Sequence, residues 1–326
     1  VLQPPVISFK RRPLRLLRYL LTRPALHGSD IVHSVVEFPY AITAKRLAAA
    51  LRVPYVVSLH GTYAVVPFLN PVDRVFYKRA LLDADVLTAP SSFTADAFRR
   101  ASGIDREVRV VGDPVDVSRM QKPHDTRGLR QGMGISNGAR IVLSVGGYKG
   151  RKGYDDLVRA FVRVIAHEPE ATLVMLGPGP GDELRQMAQS VGISANVVLP
   201  GRLSGHELVG LYQACEVFAM LPRVEQHHFE GFGIVYLEAG ACGKPVVGTR
   251  SGGVPEAVRD GETGILVAEQ DYEGAGDAIL RLLRESPLAQ SMGGAGRRWA
   301  EQNDLPRFAD RLLDVYASAL ASSSKA

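Results

Sequence analysis

The chain has 326 residues, of which 46% are apolar and 22% charged, and its mean hydropathy is zero, which is the composition of a globular protein of about two domains. Two cysteines are too few for a disulfide scaffold, and no apolar run approaches the roughly 18 residues that cross a bilayer, so we expect a cytoplasmic protein that is not integral to a membrane. The net charge of +5 conceals a split, because residues 1–130 hold 20 Lys and Arg against 11 Asp and Glu, whereas residues 131–326 hold 19 against 23.

The first predicted element is a basic amphipathic helix near residues 10–23. Its cations are Lys10, Arg11, Arg12, Arg15, Arg18 and Arg23. No acid precedes Asp30, and helical spacing places the arginines on one face and Leu14, Leu17 and Leu21 on another. A half-buried surface helix with a solvated charged face explains this pattern, and so does a peripheral helix that docks on anionic lipid headgroups at the inner face of a membrane. Both interpretations stay open.

Short β-branched runs alternate with helical patterns along the whole chain, which is the signature of βαβ units and parallel sheets. Strands are predicted over residues 30–36, 55–59, 86–89, 107–111, 139–145, 172–177, 196–199, 217–220, 245–248 and 264–267. Residues 121–138 have little apolar periodicity and predict a linker between a first domain over 1–120 and a second over 139–304. A final helix over 305–321 is assigned to the first domain. The sequence therefore predicts two doubly wound α/β domains.

A glycine-rich loop with three cations follows the predicted strand 139–145. It contains Lys149, Arg151 and Lys152, and ligands of open α/β sheets bind at the carboxyl ends of the strands. It is not a P-loop, because Gly153 stands where a Ser or Thr should hold magnesium. On its own, such a loop is more often a tight turn than a binding site.

A second glycine-rich segment, residues 230–238, runs into a predicted helix. Glycine-rich backbone at a helix start leaves free N–H groups and the positive end of the helix dipole, which suit phosphates and sugar hydroxyls. Glu230 precedes the helix and Glu238 lies two turns further on, so the two carboxylates can contact different parts of one long ligand. Taken in isolation, the pair also fits a capping acid and a surface glutamate.

Together the segments 143–161, 199–220 and 230–267 resemble the retaining GT-B glycosyltransferases of family GT4, and within it the bacterial mannosyl- and glucosyltransferases that act on lipid or polyprenyl acceptors. The resemblance implies an α/β fold of two Rossmann-like domains that face each other across a cleft. It also implies transfer of a hexose from a nucleoside-diphosphate sugar to a hydroxyl acceptor, with retention of configuration and with no cofactor or metal ion.

The resemblance assigns roles to three residues of the reaction centre. Glu230 matches the acid that approaches the donor sugar, Lys152 the lysine that neutralises the diphosphate, and His60 a histidine of the first domain that reaches the transferring sugar. Backbone amides of the second motif are implied to contact the sugar and the phosphates. They belong to Gly231, Phe232, Gly233, Ile234 and Val235.

The same resemblance places the nucleoside. Glu238 matches the acid that binds the ribose hydroxyls, and the backbone around Arg202 and Leu203 matches the segment that holds the nucleobase. Metal sites are not expected: the Asp83-Ala84-Asp85 sequence precedes a strand where the family has a structural Ala-Asp, and no Cys or third His completes a site with the histidines at 227 and 228. Nucleic acid is not an expected partner, because the arginines of the basic half lack interleaved aromatic residues.

Two features depart from the family pattern. Gly147 occupies the position where the family usually has an arginine paired with the lysine on the diphosphate, and Arg151 is a candidate replacement. Nothing before Asp30 resembles the family's opening strand and glycine-rich loop, so the first domain is expected to be truncated and to need a missing segment or a partner chain. The alternatives to an active transferase are an inactive or partner-dependent sugar-nucleotide-binding subunit and another GT-B enzyme such as a sugar-nucleotide epimerase.

Overall fold

The computed structural model describes residues 19–23, 26, 28–179, 181–201 and 203–323. It contains two compact units, one made of the residues up to Gly112 together with those from Phe308 onward, and one made of Asp113–Arg307. Most of the predicted basic helix lies outside the described residues. Of that segment, residues 19–21 are helical, and Leu20 and Leu21 pack against the core of the first unit.

The first unit is built on a four-stranded parallel sheet of order β1-β2-β3-β4. The strands are β1 (Val32–Ser34), β2 (Tyr55–Ser58), β3 (Val86–Ala89) and β4 (Val108–Val110). The helices between them are α1 (Tyr40–Leu51), α2 (Pro71–Leu82) and α3 (Ser92–Ser102), with two 3-10 helices, Gly61–Ala64 and Val66–Leu69, before α2. All three α-helices share one core with the sheet, as expected when successive right-handed crossovers add each strand on the same side.

The second unit is built on a six-stranded parallel sheet of order β10-β9-β8-β5-β6-β7. The strands are β5 (Ile141–Val145), β6 (Thr172–Leu176), β7 (Val197–Val198), β8 (Val217–Ala219), β9 (Val246–Thr249) and β10 (Gly264–Val267). The helices are α4 (Val117–Met120), α5 (Thr126–Gly132), α6 (Tyr154–His167), α7 (Asp182–Ser190), α8 (Gly205–Ala214), α9 (Ile234–Ala241), α10 (Val254–Ala257), α11 (Tyr272–Arg284) and α12 (Ser286–Gln302).

Helices cover both faces of the second sheet. Along β5, Ile141 and Leu143 belong to the core shared with α8 and α9, whereas Val142 belongs to the core shared with α6 and α11. From β5 the chain builds outward to β7 and then returns to place β8 on the other side of β5. The topological switch point therefore lies between β5 and β8, where open α/β sheets form their ligand crevice.

The segment predicted as a linker carries α5 and packs within the second unit. Arg130, at its centre, is buried and donates hydrogen bonds to the carbonyl oxygens of Ala139 and Ala214 at 2.8 Å each. It also pairs with Glu216 at 3.1 Å. A guanidinium has several hydrogen-bond donors, so Arg130 can join this segment to the residues before β5 and to the end of α8. Composition alone does not reveal such contacts.

The last helix, α13 (Leu305–Ser323), covers the other face of the first sheet, where its Val315 packs with Val56 of β2. His33 of β1 joins helix and sheet, because Nδ1 is hydrogen-bonded to the Tyr316 hydroxyl and Nε2 to Ser58 Oγ, both at 2.8 Å. Burial, and to a smaller extent the charge of the nearby His60, lower the pKa of His33 to about 4. The ring is therefore neutral near pH 7. Across the described parts of both units, no helix has the length and hydropathy of a membrane span.

Candidate active site

The loop after β5, residues 146–153, packs tightly against the loop that follows β6. The N–H of Gly146 donates to the Leu176 carbonyl at 2.8 Å. Gly177 lies so close that a Cβ added to it would be 1.7 Å from the Gly146 carbonyl oxygen. Both loops thus sit at the carboxyl edge of the sheet, and glycine is required where they touch.

The same loop is also fixed to the chain that leaves β8, on the other side of the switch point. Gly153 has φ of +65°, and a Cβ there would be 1.7 Å from the Leu221 carbonyl oxygen. The Arg223 N–H donates to the Arg151 carbonyl at 2.9 Å. These contacts set the direction of the 3-10 helix Gly150–Lys152, which carries two of the three predicted cations.

Two of those cations converge on one carboxylate. Lys152 Nζ and Arg151 Nη1 both contact Glu230 Oε2, the latter at 3.1 Å, and the three side chains are 12%, 19% and 14% exposed. The Glu230 carbonyl accepts from the N–H of Gly253, in the loop after β9, at 2.9 Å. This hydrogen bond fixes the backbone of Glu230 to that loop. The cluster has one more positive than negative charge. Its side chains are largely buried, so electrostatic interactions there are stronger than in bulk water.

The start of α9 adds backbone donors beside this cluster. Phe232 is buried in the core, whereas Gly231 is half-buried, and Gly233 precedes the helix with φ of +100° and provides no side-chain cap. In the described part of the chain the N–H groups of Ile234 and Val235 have no acceptor. An uncapped helix start with exposed N–H groups is a site where an anion binds well.

Glu238, one turn inside α9, is tied to the neighbouring helix α8. Its Oε2 accepts from the Tyr212 hydroxyl at 2.7 Å; burial raises the pKa of Glu238, and this hydrogen bond partly opposes the increase. Leu203 is half-buried and directly precedes Ser204, the residue that caps α8. Arg202 lies outside the described residues.

His60 lies in the first unit, two residues after the end of β2 and directly before the 3-10 helix Gly61–Ala64. Its N–H donates to Oε1 of Glu37 at 2.9 Å. Glu37 is 1% exposed, and its second carboxylate oxygen has no partner among the described residues. Burial raises the pKa of Glu37 to about 7 despite the hydrogen bonds it accepts.

A family model described as "Glycosyl transferases group 1" matches residues 97–299 of this chain, and one described as "Glycosyltransferase Family 4" matches residues 1–119. The chain belongs to the group 1 glycosyltransferases. The family inferred from the sequence motifs is confirmed, and with it the assignment to the hexosyltransferases.

Similar proteins support the assignment to the group 1 glycosyltransferases. The chain is 37% identical to a GDP-mannose-dependent alpha-(1-6)-phosphatidylinositol monomannoside mannosyltransferase of Mycolicibacterium smegmatis over 79% of this chain and 68% of that protein. The Mycobacterium tuberculosis protein of the same name is 34% identical over 84% and 72%. The crystal structure of Anabaena Alr3699/HepE in complex with UDP and glucose matches with a TM-score of 0.80 at 21% identity, over 97% of this chain and 84% of that one. This likeness confirms the predicted fold of two parallel-sheet α/β units.

The structure brings Arg151, Lys152 and Glu230 of this glycosyltransferase together and places Gly147 in the same loop. A Cβ on Gly147 would meet only the Pro178 carbonyl oxygen and side chain and the Lys149 stem at 3.6–3.9 Å. Arg151, three residues before the start of α6, is instead the second cation that contacts Glu230, beside Lys152. That Arg151 replaces the family's arginine stays a prediction.

Arg223 is a residue of this site that the sequence reasoning missed. It donates to both oxygens of Asp155 at 2.9 and 3.0 Å and to Asp156 at 2.8 Å, and its Nε donates to Glu225 at 3.0 Å. It thereby ties the segment after β8 to the start of α6. The available signal was a cation three residues after a predicted strand, at the edge of the sheet where ligands bind.

The acidic pair considered as a metal motif is occupied by structural contacts. Asp83 forms an ion pair with Lys45, and Asp85 Oδ2 accepts from the Tyr55 N–H at 2.7 Å. Over the ranges that the structure describes, no group of three or more His, Cys, Asp or Glu side chains is arranged to hold a metal ion.

Glu37 and His33 should make the stability of the enzyme depend on pH in opposite directions. Folded Glu37 keeps its proton up to about pH 7, so its contribution to the free energy of unfolding falls as pH rises from 4.5 to 7. Folded His33 stays neutral down to about pH 4, so its contribution to the free energy of unfolding falls as pH drops from 6.5 to 4. Glu37→Gln preserves the acceptor for His60 and removes the first slope. We expect the variant to gain about 3 kcal/mol relative to wild type between pH 4.5 and 8.

Urea unfolding at a series of pH values, followed by circular dichroism, measures this difference. The contributions of Glu37 and His33 oppose each other between pH 4.5 and 6.5, so over that range the variant should gain stability relative to wild type steadily as pH rises. A constant difference between the two proteins at all pH values would show that folding does not raise the pKa of Glu37.

Proposed function

We propose that this chain is a retaining, metal-independent glycosyltransferase that moves a hexose from a nucleoside-diphosphate sugar to a hydroxyl of a lipid-linked acceptor. The observation that carries the proposal is the Arg151 and Lys152 pair on Glu230, at the switch point of the second sheet and beside the uncapped start of α9. This arrangement offers cations and backbone donors to a diphosphate and a carboxylate to a sugar.

The diphosphate of the donor would compete with Glu230 for its two cations. Because two cations, Lys152 and Arg151, pair with the one carboxylate of Glu230, an excess of one positive charge remains to attract the ligand. Once bound, the phosphates would take over both cations and the N–H groups of Ile234 and Val235. Glu230, released from its ion pairs, could then accept hydrogen bonds from the hydroxyls of the sugar, beside the amides of Gly231 to Gly233.

Bond breaking at the anomeric carbon develops negative charge on the leaving diphosphate and positive charge on the sugar ring. Preorganised cations and helix N–H groups stabilise that negative charge in the transition state. Attack from the face that the leaving group occupies, with the phosphate accepting the acceptor's proton, retains configuration without a protein nucleophile. His60 would orient the sugar, and Glu238 would bind the ribose diol.

Two observations support a lipid-linked acceptor: the acceptors named for the relatives, and the positive charge of residues 1–130. The mannosyltransferases from Mycolicibacterium and Mycobacterium named above act, by name, on a phosphatidylinositol monomannoside. Residues 1–130 carry a formal charge of +9, the excess of 20 cations over 11 acids. We therefore propose peripheral association with the anionic inner face of a membrane, to which the basic segment 10–23 contributes.

A thermal-shift series with GDP-mannose, UDP-glucose and ADP-glucose tests the donor. We expect GDP-mannose to raise the melting temperature most, since a ligand that binds only the folded state stabilises it by an amount that grows with the ratio of its concentration to Kd. Radiolabelled donor with phosphatidylinositol monomannoside in mixed micelles then tests transfer. Donor binding without transfer would favour the nucleotide-binding subunit, and the absence of any shift would refute the proposal.

A further inference from the structure

Two histidines of the second unit meet at its surface, on segments that are far apart in the sequence. His124 lies two residues before α5, and His206 is the second residue of α8. Nε2 of His124 and Nδ1 of His206 are 3.2 Å apart, and the two rings are inclined at 47° to each other. His206 is exposed and His124 half-buried, so solvent reaches the pair. The two positions differ by 82 residues, which is why no sequence motif indicates them.

A contact of His124 with the backbone fixes which of its ring nitrogens carries the hydrogen. Nδ1 lies 2.6 Å from the Lys122 carbonyl oxygen, which can only accept a hydrogen bond, so Nδ1 is the donor in the neutral ring. Nε2, the nitrogen that meets His206, is therefore a lone pair. Histidines that bind metal ions are oriented in the same way, because their other ring nitrogen donates to a carbonyl or a carboxylate.

Gln213 of α8 holds this arrangement in place. Its side-chain oxygen accepts from the His124 N–H at 3.2 Å, and its side-chain nitrogen donates to the carbonyl oxygens of Met120 and Lys122 at 2.9 and 2.7 Å. The carbonyl that orients the His124 ring is thus itself fixed to α8, the helix that carries His206. Both ring nitrogens are positioned by the protein without any ligand.

We propose that His124 and His206 form a surface site for Zn²⁺, which joins the segment before α5 to the first turn of α8. Zinc binds imidazole nitrogens at about 2.0–2.1 Å in tetrahedral geometry, so two nitrogens on one ion are about 3.3–3.4 Å apart. The 3.2 Å between Nε2 and Nδ1 is close to that span, and it is the upper end of the range for hydrogen bonds. On binding, His206 carries its hydrogen on Nε2 instead of Nδ1, a change of tautomer that releases no net proton.

Water completes the coordination of this ion. Over the described residues, no third His, Cys, Asp or Glu is arranged to hold a metal ion with the pair. A site with two protein ligands should bind zinc with a Kd of about 1–100 µM, more weakly than closed sites with four protein ligands do. Neither histidine belongs to the loops that carry Lys152 and Glu230, so the inference does not rest on the proposed function, and the ion takes no part in sugar transfer.

Equilibrium dialysis of the full chain against micromolar Zn²⁺, with the bound metal measured by atomic emission, tests the site. His206→Asn and His206→Asp are matched variants, because both place an oxygen or nitrogen atom near the position of Nδ1 and only the carboxylate is a good zinc ligand. His206→Asn should weaken zinc binding at least about tenfold, whereas His206→Asp should bind within about tenfold of wild type. Equal zinc binding by wild type and His206→Asn would overturn the proposal, and so would equal losses in the two variants.

Histidines elsewhere on the surface provide the controls. His167 is exposed at the end of α6, and His227 and His228 are exposed after β8. The variants H167N and H227N/H228N should bind zinc as wild type does. If H227N/H228N loses the zinc and His206→Asn retains it, the ion belongs to that neighbouring pair and the proposal fails.

Thermal unfolding tests whether the ion joins the two segments. Zn²⁺ should raise the melting temperature of wild type and leave those of His124→Asn and His206→Asn nearly unchanged, because a ligand of the folded state stabilises it. Mg²⁺ prefers oxygen ligands and should have no effect on any of the three proteins. Without metal, His206→Asn should unfold at the wild-type temperature, which shows that the variant folds. An equal zinc-induced increase in all three proteins would contradict the proposal.

Discussion

Replacing Lys152 with methionine should lower kcat/KM for sugar transfer by about 10²–10³-fold, the usual effect of removing one preorganised group that stabilises charge in the transition state. Methionine preserves the unbranched stem in a side chain that is 12% exposed, and Glu230 keeps Arg151 as a partner, so the protein should stay folded. Because the charge on the leaving diphosphate grows as the bond breaks, kcat should fall more than donor affinity does.

Lys149→Met provides the matched control. Lys149 belongs to the same loop but is exposed, and among the described residues it has no ion-pair partner, so its replacement should leave transfer within about twofold of wild type. The measurement is steady-state transfer of labelled sugar, with donor Kd from calorimetry. A Lys152→Met enzyme with wild-type kcat would remove Lys152 from the catalytic group, and equal losses in both variants would point to general charge in the loop.

The sheets were predictable from the sequence because both faces of each are covered. Strands buried on two sides appear as continuous β-branched and aliphatic runs. Nine of the ten runs predicted as strands contain one, and the tenth, 245–248, overlaps β9 (Val246–Thr249). Their ends were less predictable. The run 30–36 is a strand only over Val32–Ser34, since hydrogen bonding stops where its register with Tyr55–Val57 of β2 stops. Hydropathy continues beyond that point, but strand pairing does not.

The candidate site was predictable where it lies within one motif and not where it depends on contacts between distant segments. The cations of the β5 loop and the carboxylates 230 and 238 could be placed from the sequence, because their spacing puts them at a strand end or a helix start, whereas their assignment to a site came from the resemblance to the family. The pairing of Arg223 with Asp155, and of Glu37 with the N–H of His60, joins segments 68 and 23 residues apart. Only the folded backbone brings such partners together, and no local pattern encodes them.

Gly153→Ala should destabilise the second unit by about 3 kcal/mol or more and lower its melting temperature by about 10 °C. The left-handed conformation at φ of +65° costs an L-residue about 1–2 kcal/mol. The added methyl would in addition stand 1.7 Å from the Leu221 carbonyl oxygen, so that the β5 loop must move away from the β8 segment. Arg151 and Lys152 adjoin Gly153, and donor affinity should therefore fall together with stability.

Gly192→Ala separates the two contributions. Gly192 also has a left-handed backbone, with φ of +79°, but a Cβ there meets no atom within 4 Å. Its replacement should cost about 1–2 kcal/mol and leave donor binding unchanged, because the cost is conformational and lies at the end of α7. Thermal unfolding and donor calorimetry on both variants decide the matter. If the two alanine variants lose equal stability and both bind donor normally, the contact between Gly153 and Leu221 does not hold the β5 loop in its binding position, and the cations of that loop must be fixed by the Arg223 ion pairs instead.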